Sequence, residues 1–131
     1  MASRLTEVII DCHDLEVMAG FWSAVLGYER GHSGEGWLAI EPPNRDSSDH
    51  AWRSGPLAPV VAFVLVPESK AVKNRVHIDV TPFDCTQDAE VERLIGLGAR
   101  RADIGQSDTS WVVMSDPEGN EFCVMGELDA P

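Results

Sequence analysis

The chain contains an internal repeat, which leaves few folds open to it. Gly27 and Gly98 lie about 70 residues apart, and so do Asp14 and Asp84. In each copy an apolar helical pattern begins just after the aspartate and stops at the glycine. An aspartate can accept hydrogen bonds from the first N–H groups of a helix, and a glycine allows the left-handed turn that ends many helices. The repeat therefore predicts two copies of one supersecondary unit.

Each copy is interpreted as a βαβββ unit, with module one spanning about residues 5–67 and module two about residues 74–127. Module one opens with the strand "EVIIDC" (7–12) and continues with strands "WLAIE" (37–41) and "VVAFVLV" (60–66). "GHSGEG" (31–36) is interpreted as a flexible turn. The helix has its apolar residues at the spacing of one helical face: Leu15, Met18, Ala19, Trp22, Val25 and Leu26.

Module two repeats this order. "KNRVHIDV" (73–80) is its first strand, and Asp84 or Thr86 caps a helix whose apolar positions include Val91, Leu94 and Ile95. The remaining elements are the strands "RRADIG" (100–105), "SWVVMS" (110–115) and "EFCVM" (121–125) and the tight turn "DPEGN" (116–120). The 131 residues therefore predict one α+β domain made of two βαβββ modules, in which the helices cover one face of the sheet and the other face is left to curve inwards.

The alternation in "KNRVHIDV" predicts which side chains share a face, because neighbouring strand residues point to opposite sides of a sheet. Apolar side chains are predicted to face the helices: Val76, Ile78, Val80, Phe122 and Val124. Polar side chains are predicted to line the concave face: Glu7, Arg75, His77, Asp79, Glu121 and Cys123. This row fits either ligand contacts, with His77 and Asp79 as catalytic candidates, or a structural ion pair beside a hydrogen-bonded histidine.

The composition excludes some partners. A net charge of −12 argues against nucleic acid, which needs clustered Lys and Arg, and against anionic membrane surfaces. The chain has an odd number of cysteines, Cys12, Cys85 and Cys123, and no pair of them has CxxC spacing. Both features disfavour a disulfide framework. The opening residues "MASRLTEVII" lack a long apolar segment. We therefore expect a reduced, cytoplasmic setting.

A long loop is predicted over residues 42–59, "PPNRDSSDHAWRSGPLAP". This segment contains four prolines, and most of its other residues are polar. Trp52 lies within this loop. A tryptophan exposed there needs a partner or a ligand to cover its ring, so Trp52 is a candidate ligand contact.

Several segments resemble the vicinal oxygen chelate superfamily, which includes glyoxalase I, bleomycin-binding proteins and extradiol dioxygenases. "DPEGNEFCVM" resembles its DPxGN turn and final strand, and "DCHDLEVMAGFWSAVLGYE" its first strand-to-helix unit. "KNRVHIDV" is most similar to the glyoxalase-like branch. The resemblance implies that the two modules form one cupped, barrel-like mixed sheet with the helices on its convex face. It also implies a frequent homodimer and, in metal-dependent members, one divalent ion in the cup.

The resemblance implies four metal-ligand positions, on the first and last strands of each module. The first-strand positions correspond to Glu7 and His77, which can bind Zn, Ni, Mn or Fe. The last-strand positions correspond to Cys123 and to the neighbourhood of Phe63, where members usually carry Glu. Two carboxylate ligands are therefore missing or changed, although Glu121 is a possible substitute.

Three functions are compatible with the sequence. The first, which the lost carboxylates favour, is a protein that binds a small organic molecule in the cup without a family-type metal centre. The second is a metal-dependent glyoxalase or lyase that uses His77 and Glu7, with Asp79 moving a proton. The third is a non-catalytic dimeric interaction module, since a fold does not dictate a function.

Overall fold

A computed structural model describes residues 2–106 and 108–129. It divides the chain into two compact units, Met1–Ser69 and Lys70–Pro131, which correspond closely to the two predicted modules. Each module contains one four-stranded mixed sheet, and neither sheet closes on itself. Within the described residues, no helix is both long and apolar enough to cross a membrane.

Module one is built around a sheet whose strand order is β1-β4-β3-β2. Its elements are β1 (Glu7–Cys12), α1 (Leu15–Leu26), β2 (Glu29–Gly34), β3 (Trp37–Glu41), α2 (Asp49–Ser54) and β4 (Val60–Leu65). β1 and β4 pair in parallel, while β3 pairs antiparallel with both β4 and β2. The parallel pair requires a crossover connection, which brings α1 across one face of the sheet.

Module two has the same arrangement, with the strand order β5-β8-β7-β6. Its elements are β5 (Ile78–Val80), α3 (Gln87–Leu97), β6 (Arg100–Arg101), β7 (Val112–Ser115) and β8 (Glu121–Val124). Again the first and last strands pair in parallel and the other pairs are antiparallel. The prediction of an α+β fold made of two βαβββ modules is confirmed.

Both long helices end at the glycines that the repeat predicts, and α1 also begins after the predicted aspartate. Asp14 accepts a hydrogen bond from the Val17 N–H at 3.0 Å. Of the two candidate caps in module two, Thr86 is the one used, and its hydroxyl oxygen accepts from the Ala89 N–H at 3.2 Å. Gly27 and Gly98 follow the helices with φ of 68° and 117°, a region that disfavours side chains with a Cβ.

Each helix buries its apolar face against its own sheet. In α1, Met18 and Trp22 are almost fully buried, and Phe21 meets Trp22 edge to face with ring centroids 5.2 Å apart. In α3, Val91 and Leu94 are fully buried. The sheets contribute apolar residues to the same cores: Leu38, Ile40, Val61 and Phe63 in module one, and Met114, Phe122 and Val124 in module two. Such burial contributes about 1.5–3 kcal/mol per large side chain.

The prediction of a flexible turn at residues 31–36 is wrong for most of that segment, because β2 extends to Gly34. Gly34, which the sequence suggested as a turn residue, instead allows the Trp37 side chain to lie close to the backbone. A Cβ on Gly34 would lie 2.4 Å from Nε1 of Trp37, so only glycine lets the indole ring lie against the hairpin. The turn itself is confined to Glu35 and Gly36, where φ is 77° at the glycine.

The predicted strand over residues 73–80 is largely wrong, because β5 contains only Ile78–Val80. Its partner β8 offers three paired positions, which face Ile78, Asp79 and Val80. Upstream, the Asn74 N–H donates to the Glu121 carboxylate at 3.1 Å instead of to a neighbouring strand. Because a side chain accepts the hydrogen bond from this N–H, the backbone at Asn74 does not take part in the pairing between strands.

The facing prediction is correct for β8 and wrong at one position upstream. Phe122 and Val124 are buried as predicted, and Ile78 and Val80 are half-buried. Val76 is 84% exposed, because it precedes β5 and is not held in the alternating pattern. "RRADIG" likewise contributes only Arg100 and Arg101 to a strand, and the predicted loop 42–59 contains the short helix α2.

Candidate functional site

Three potential metal or ligand donors of module two lie close together: His77, Asp79 and Cys123. Their donor atoms all lie within 4.8 Å of one another. The parallel pairing of β5 with β8 sets Asp79 directly beside Cys123, and Nε2 of His77 lies 3.2 Å from Oδ1 of Asp79. We call this group the His-Asp-Cys cluster. It combines an imidazole, a carboxylate and a thiol at one end of β5.

The cluster is open on one side and closed on the other. The side chains of His77 and Asp79 are 45% and 50% exposed, whereas Cys123 is only 5% exposed. A ligand arriving from solvent can therefore reach the imidazole and carboxylate directly, with the thiol beneath them. Arg75, also predicted to line this face, is exposed in the segment before β5.

The surroundings of Cys123 keep its thiol neutral. Burial raises the pKa of this thiol, and the negative charge of Asp79 and its hydrogen bond with the thiol raise it further. A neutral thiol is a weak nucleophile, since the thiolate is the reactive form. In the absence of a metal, Cys123 therefore acts as a hydrogen-bond donor to Asp79 and not as an attacking group.

Glu121 lies on the same strand but is not part of the His-Asp-Cys cluster. Its Oε1 accepts from Nζ of Lys70 at 2.8 Å, and its Oε2 accepts from the Asn74 N–H at 3.1 Å. Burial alone would raise the pKa of this carboxyl, but the hydrogen bonds from Lys70 and Asn74 outweigh burial and lower it. Both oxygens are thus engaged, which leaves Glu121 poorly placed to replace a missing metal ligand.

The Lys70–Glu121 ion pair is mostly buried and is expected to stabilise module two in a pH-dependent way. The two side chains are only 20% and 12% exposed. In a double-mutant cycle with Lys70→Met and Glu121→Gln, we expect a coupling free energy of about 1–3 kcal/mol near neutral pH. Because the folded-state pKa of Glu121 is lowered, this contribution is present above the ordinary glutamate pKa of 4.5 and is lost as pH falls through the folded value.

Urea unfolding of the four proteins in the cycle, at neutral pH and again in acid, measures this coupling. A cycle with Arg30→Met and Glu16→Gln is the control, since that ion pair is exposed and such pairs contribute little. A Lys70–Glu121 coupling that stays constant down to acid pH would contradict the assignment.

The turn before β8 fixes the position of Glu121 and Cys123. Asp116 is 3% exposed, and its carboxylate accepts from the Glu118 and Asn120 N–H groups, both at 2.9 Å. The Asn120 side-chain amide donates to the same carboxylate at 2.9 Å. The sequence predicted a tight turn here, but it did not reveal this role of Asp116 or the roles of Lys70 and Asn74.

Two further candidate residues, Glu7 and Trp52, lie in module one. Glu7 is exposed on β1, and Trp52 is half-buried on α2. Trp52 is not a bare loop residue, because the Arg45 guanidinium lies over its ring at 4.9 Å and Arg4 donates to its carbonyl oxygen at 2.7 Å. The last-strand position near Phe63 holds no ligand, since Phe63 is fully buried in the core.

This fold of two βαβββ modules is similar to that of solved enzymes of the glyoxalase/bleomycin resistance/dioxygenase family. The fold matches the crystal structure of such an enzyme from Burkholderia phytofirmans, with a TM-score of 0.63, 18% identity, and coverage of 93% of this chain and 97% of that one. A family profile described as "Glyoxalase-like domain" matches residues 7–125. The chain belongs to the glyoxalase-like domain family.

Fosfomycin resistance proteins share the same fold. FosX from Mesorhizobium loti matches with a TM-score of 0.66, 16% identity, and coverage of 95% of this chain and 92% of that one. FosX from Listeria monocytogenes, solved in complex with Mn(II) and a sulfate ion, matches with a TM-score of 0.67, 13% identity, and coverage of 98% and 93%. No curated protein matches the chain in sequence.

Proposed function

We propose that this glyoxalase-like domain binds a small organic molecule at the His-Asp-Cys cluster. The observation that carries the proposal is the convergence of His77, Asp79 and Cys123 within 4.8 Å, with two of the three side chains open to solvent. Polar groups that converge on an accessible point are typical of ligand sites. The site would act without the four-ligand metal centre that the family resemblance implies.

The donors and acceptors of the cluster define the chemistry that it favours. The Asp79 carboxylate accepts hydrogen bonds, and His77 donates or accepts according to its tautomer, while the neutral Cys123 thiol donates to Asp79. A ligand with adjacent hydroxyl and carbonyl oxygens would match the imidazole and the carboxylate. His77 and Asp79, whose Nε2 and Oδ1 lie 3.2 Å apart, would also be able to take a proton from such a ligand or give one to it.

Native mass spectrometry of the protein as purified tests this proposal. We expect an added mass of a small molecule on the wild-type protein, with lower occupancy in His77→Ala and Asp79→Ala. His32→Ala is the matched control, because His32 is an exposed histidine on β2 in the other module. If the double variant of His77 and Asp79 retained the same added mass as the wild type, the cluster would not be the binding site.

A metal-dependent function is the second candidate, and the donor set favours it. The family-type four-ligand set does not fit, since Phe63 is fully buried and Glu121 is engaged by Lys70. The cluster itself does fit a borderline-soft divalent ion such as Zn²⁺, which accepts imidazole, carboxylate and thiolate ligands together. When bound, such an ion would polarise an oxygen of the ligand, and His77, Asp79 and Cys123 would hold the ion.

Zinc titration separates the two candidates. If the cluster binds the ion, Zn²⁺ at about a hundredfold excess over its Kd should raise the Tm by roughly 5 °C or more, with about one ion retained in equilibrium dialysis. Cys123→Ser should weaken this stabilisation, and Cys85→Ser, which alters the half-buried thiol outside the cluster, should not. Equal loss in both cysteine variants, or no stabilisation of the wild type, would rule out this metal site.

We further propose that the protein is a cytoplasmic homodimer. Three free cysteines suit a reducing compartment. Exposed apolar side chains such as Leu5, Ile9 and Leu65 suit contact with a second copy. Light scattering coupled to size exclusion tests the homodimer, and fractionation of the source cells tests the compartment.

A further inference from the structure

We propose that module one contains a second binding site, which takes an aromatic carboxylate. The site is a cleft of about 450 Å³ lined by Ala2, Arg4, Asp49, Trp52 and Arg53. Clefts of roughly 300–1,000 Å³ are the usual size for small-molecule ligands. All of its residues belong to module one, so the inference does not depend on the His-Asp-Cys cluster of module two.

Trp52 lines this cleft, and Arg45 lies against its indole ring without lining the cleft itself. The Arg45 guanidinium lies 4.9 Å from the centroid of the ring, and its side chain is only 9% exposed. A ring held in one orientation can stack on an aromatic ligand at little cost in side-chain entropy.

Arg45 is itself fixed by packing more than by hydrogen bonds. Its Nη1 lies 3.9 Å from Oε2 of Glu41, beyond hydrogen-bond distance, and its buried Nε has no hydrogen-bond partner within the described residues. Burial of an incompletely paired guanidinium is costly. The ring of Trp52 offsets part of this cost through the cation–π contact, which explains why the two residues stay together.

Arg4 lines the cleft and links the residues before β1 to α2 through hydrogen bonds. Its Nε donates to the Trp52 carbonyl oxygen at 2.7 Å, and its Nη2 lies 3.4 Å from the Arg53 carbonyl oxygen. These are carbonyl groups at the end of a helix, which lack partners inside the helix. The remaining guanidinium N–H groups of Arg4, and the whole guanidinium of exposed Arg53, can donate to a ligand carboxylate.

The charge around the cleft selects an anion. The chain carries a net charge of −12, yet the cleft is lined by two arginines and a single carboxylate, Asp49. Arg45, which lies against the tryptophan ring, is paired with Glu41 and does not enter this count. A local excess of positive charge on an acidic protein attracts an anion to that place, and the indole surface adds a preference for a planar one. Benzoate is the simplest probe that carries both properties.

Isothermal titration with benzoate, benzylamine and benzyl alcohol tests the proposal on the full-length protein. We expect saturable binding of benzoate only, weakened about tenfold by Arg53→Ala and by Trp52→Ala, because each removes one of the two recognition elements. Arg53→Lys should retain part of the affinity. Arg100→Ala is the matched control, since it removes an exposed arginine from β6 in the other module, and Trp52→Phe keeps an aromatic ring if the alanine variant unfolds.

Three results would overturn the proposal. The first is an absence of saturable benzoate binding by the wild type. The second is equal binding of benzylamine, which would show that charge does not select the ligand. The third is a dimer that dissociates in Arg53→Ala, which would show that an acidic segment of a second copy fills the cleft. His77→Ala should leave benzoate binding unchanged. The benzoate experiment therefore tests the cleft independently of the His-Asp-Cys cluster.

Discussion

Replacing Phe63 with alanine is expected to lower the free energy of unfolding by about 3–5 kcal/mol. Phe63 is fully buried on β4, at the centre of the module-one sheet between β1 and β3. Alanine would leave a cavity that close packing around β4 cannot fill. Globular domains are stable by about 5–15 kcal/mol, so this one change would remove a large part of the total. Urea denaturation of the purified variant measures the loss.

Two controls make the Phe63 result specific. Phe63→Leu keeps most of the volume and should cost less than the alanine variant. Phe83→Ala removes the same side chain where it is 78% exposed and should change stability by no more than about 0.5 kcal/mol. A similar loss at both phenylalanines would contradict the placement of Phe63 in the core.

Replacing Asp116 with alanine is expected to cost about 2–4 kcal/mol, because it removes a charged acceptor from three half-buried donors. The carboxylate accepts the N–H groups of Glu118 and Asn120 and the side-chain amide of Asn120. Loosening this turn should also loosen the start of β8. We therefore expect Cys123 to react faster with an alkylating reagent in the variant, which peptide mapping by mass spectrometry measures.

The Asp116 experiment also has a charge-matched control. Asp129→Ala removes an exposed carboxylate and should leave both stability and Cys123 alkylation unchanged. Asp116→Asn retains an acceptor and should lose less stability than alanine. If Asp116→Ala were as stable as the wild type, its hydrogen bonds would not be what holds the turn.

Much of the fold could be predicted because the relevant interactions are local. Asp14, Thr86, Gly27 and Gly98 act within one helical turn, so their effects can be read from adjacent residues. The helical spacing of Met18 and Trp22 likewise reports the buried face directly. The "DPEGN" segment carries its own hydrogen bonds between Asp116 and Asn120. Repetition of these local features gave the two-module architecture.

The errors occurred where particular side-chain contacts decide the structure. Gly34 lies against Trp37, only three positions along the chain, but the turn-like composition of the segment does not indicate that contact. β5 begins late because Glu121 binds the Asn74 N–H across 47 positions, a partner that the local pattern does not reveal. Trp52 was recognised as unusual, but Arg4 and Arg45 had no sequence feature linking them to it. Side-chain partners far apart in the chain are invisible to periodicity.

The candidate site was predicted in part. The alternation placed His77 and Asp79 on one face, and their side chains do lie 3.2 Å apart. The resemblance added Cys123, whose thiol lies in the same cluster. The role of Glu121 was not foreseeable, because its ion pair depends on Lys70, which lies before the module's first strand.

The protonation of the cysteines has a practical consequence for anyone who handles this protein. Oxidation and alkylation proceed through the thiolate, and the pKa values of both Cys85 and Cys123 are raised. For Cys85, loss of hydration is the first cause and the nearby carboxylates of Glu90 and Asp84 add to it. Oxidation and alkylation of Cys123 should therefore be slower than those of an ordinary exposed thiol, and a thiol-directed label would be a poor reporter of ligand binding there.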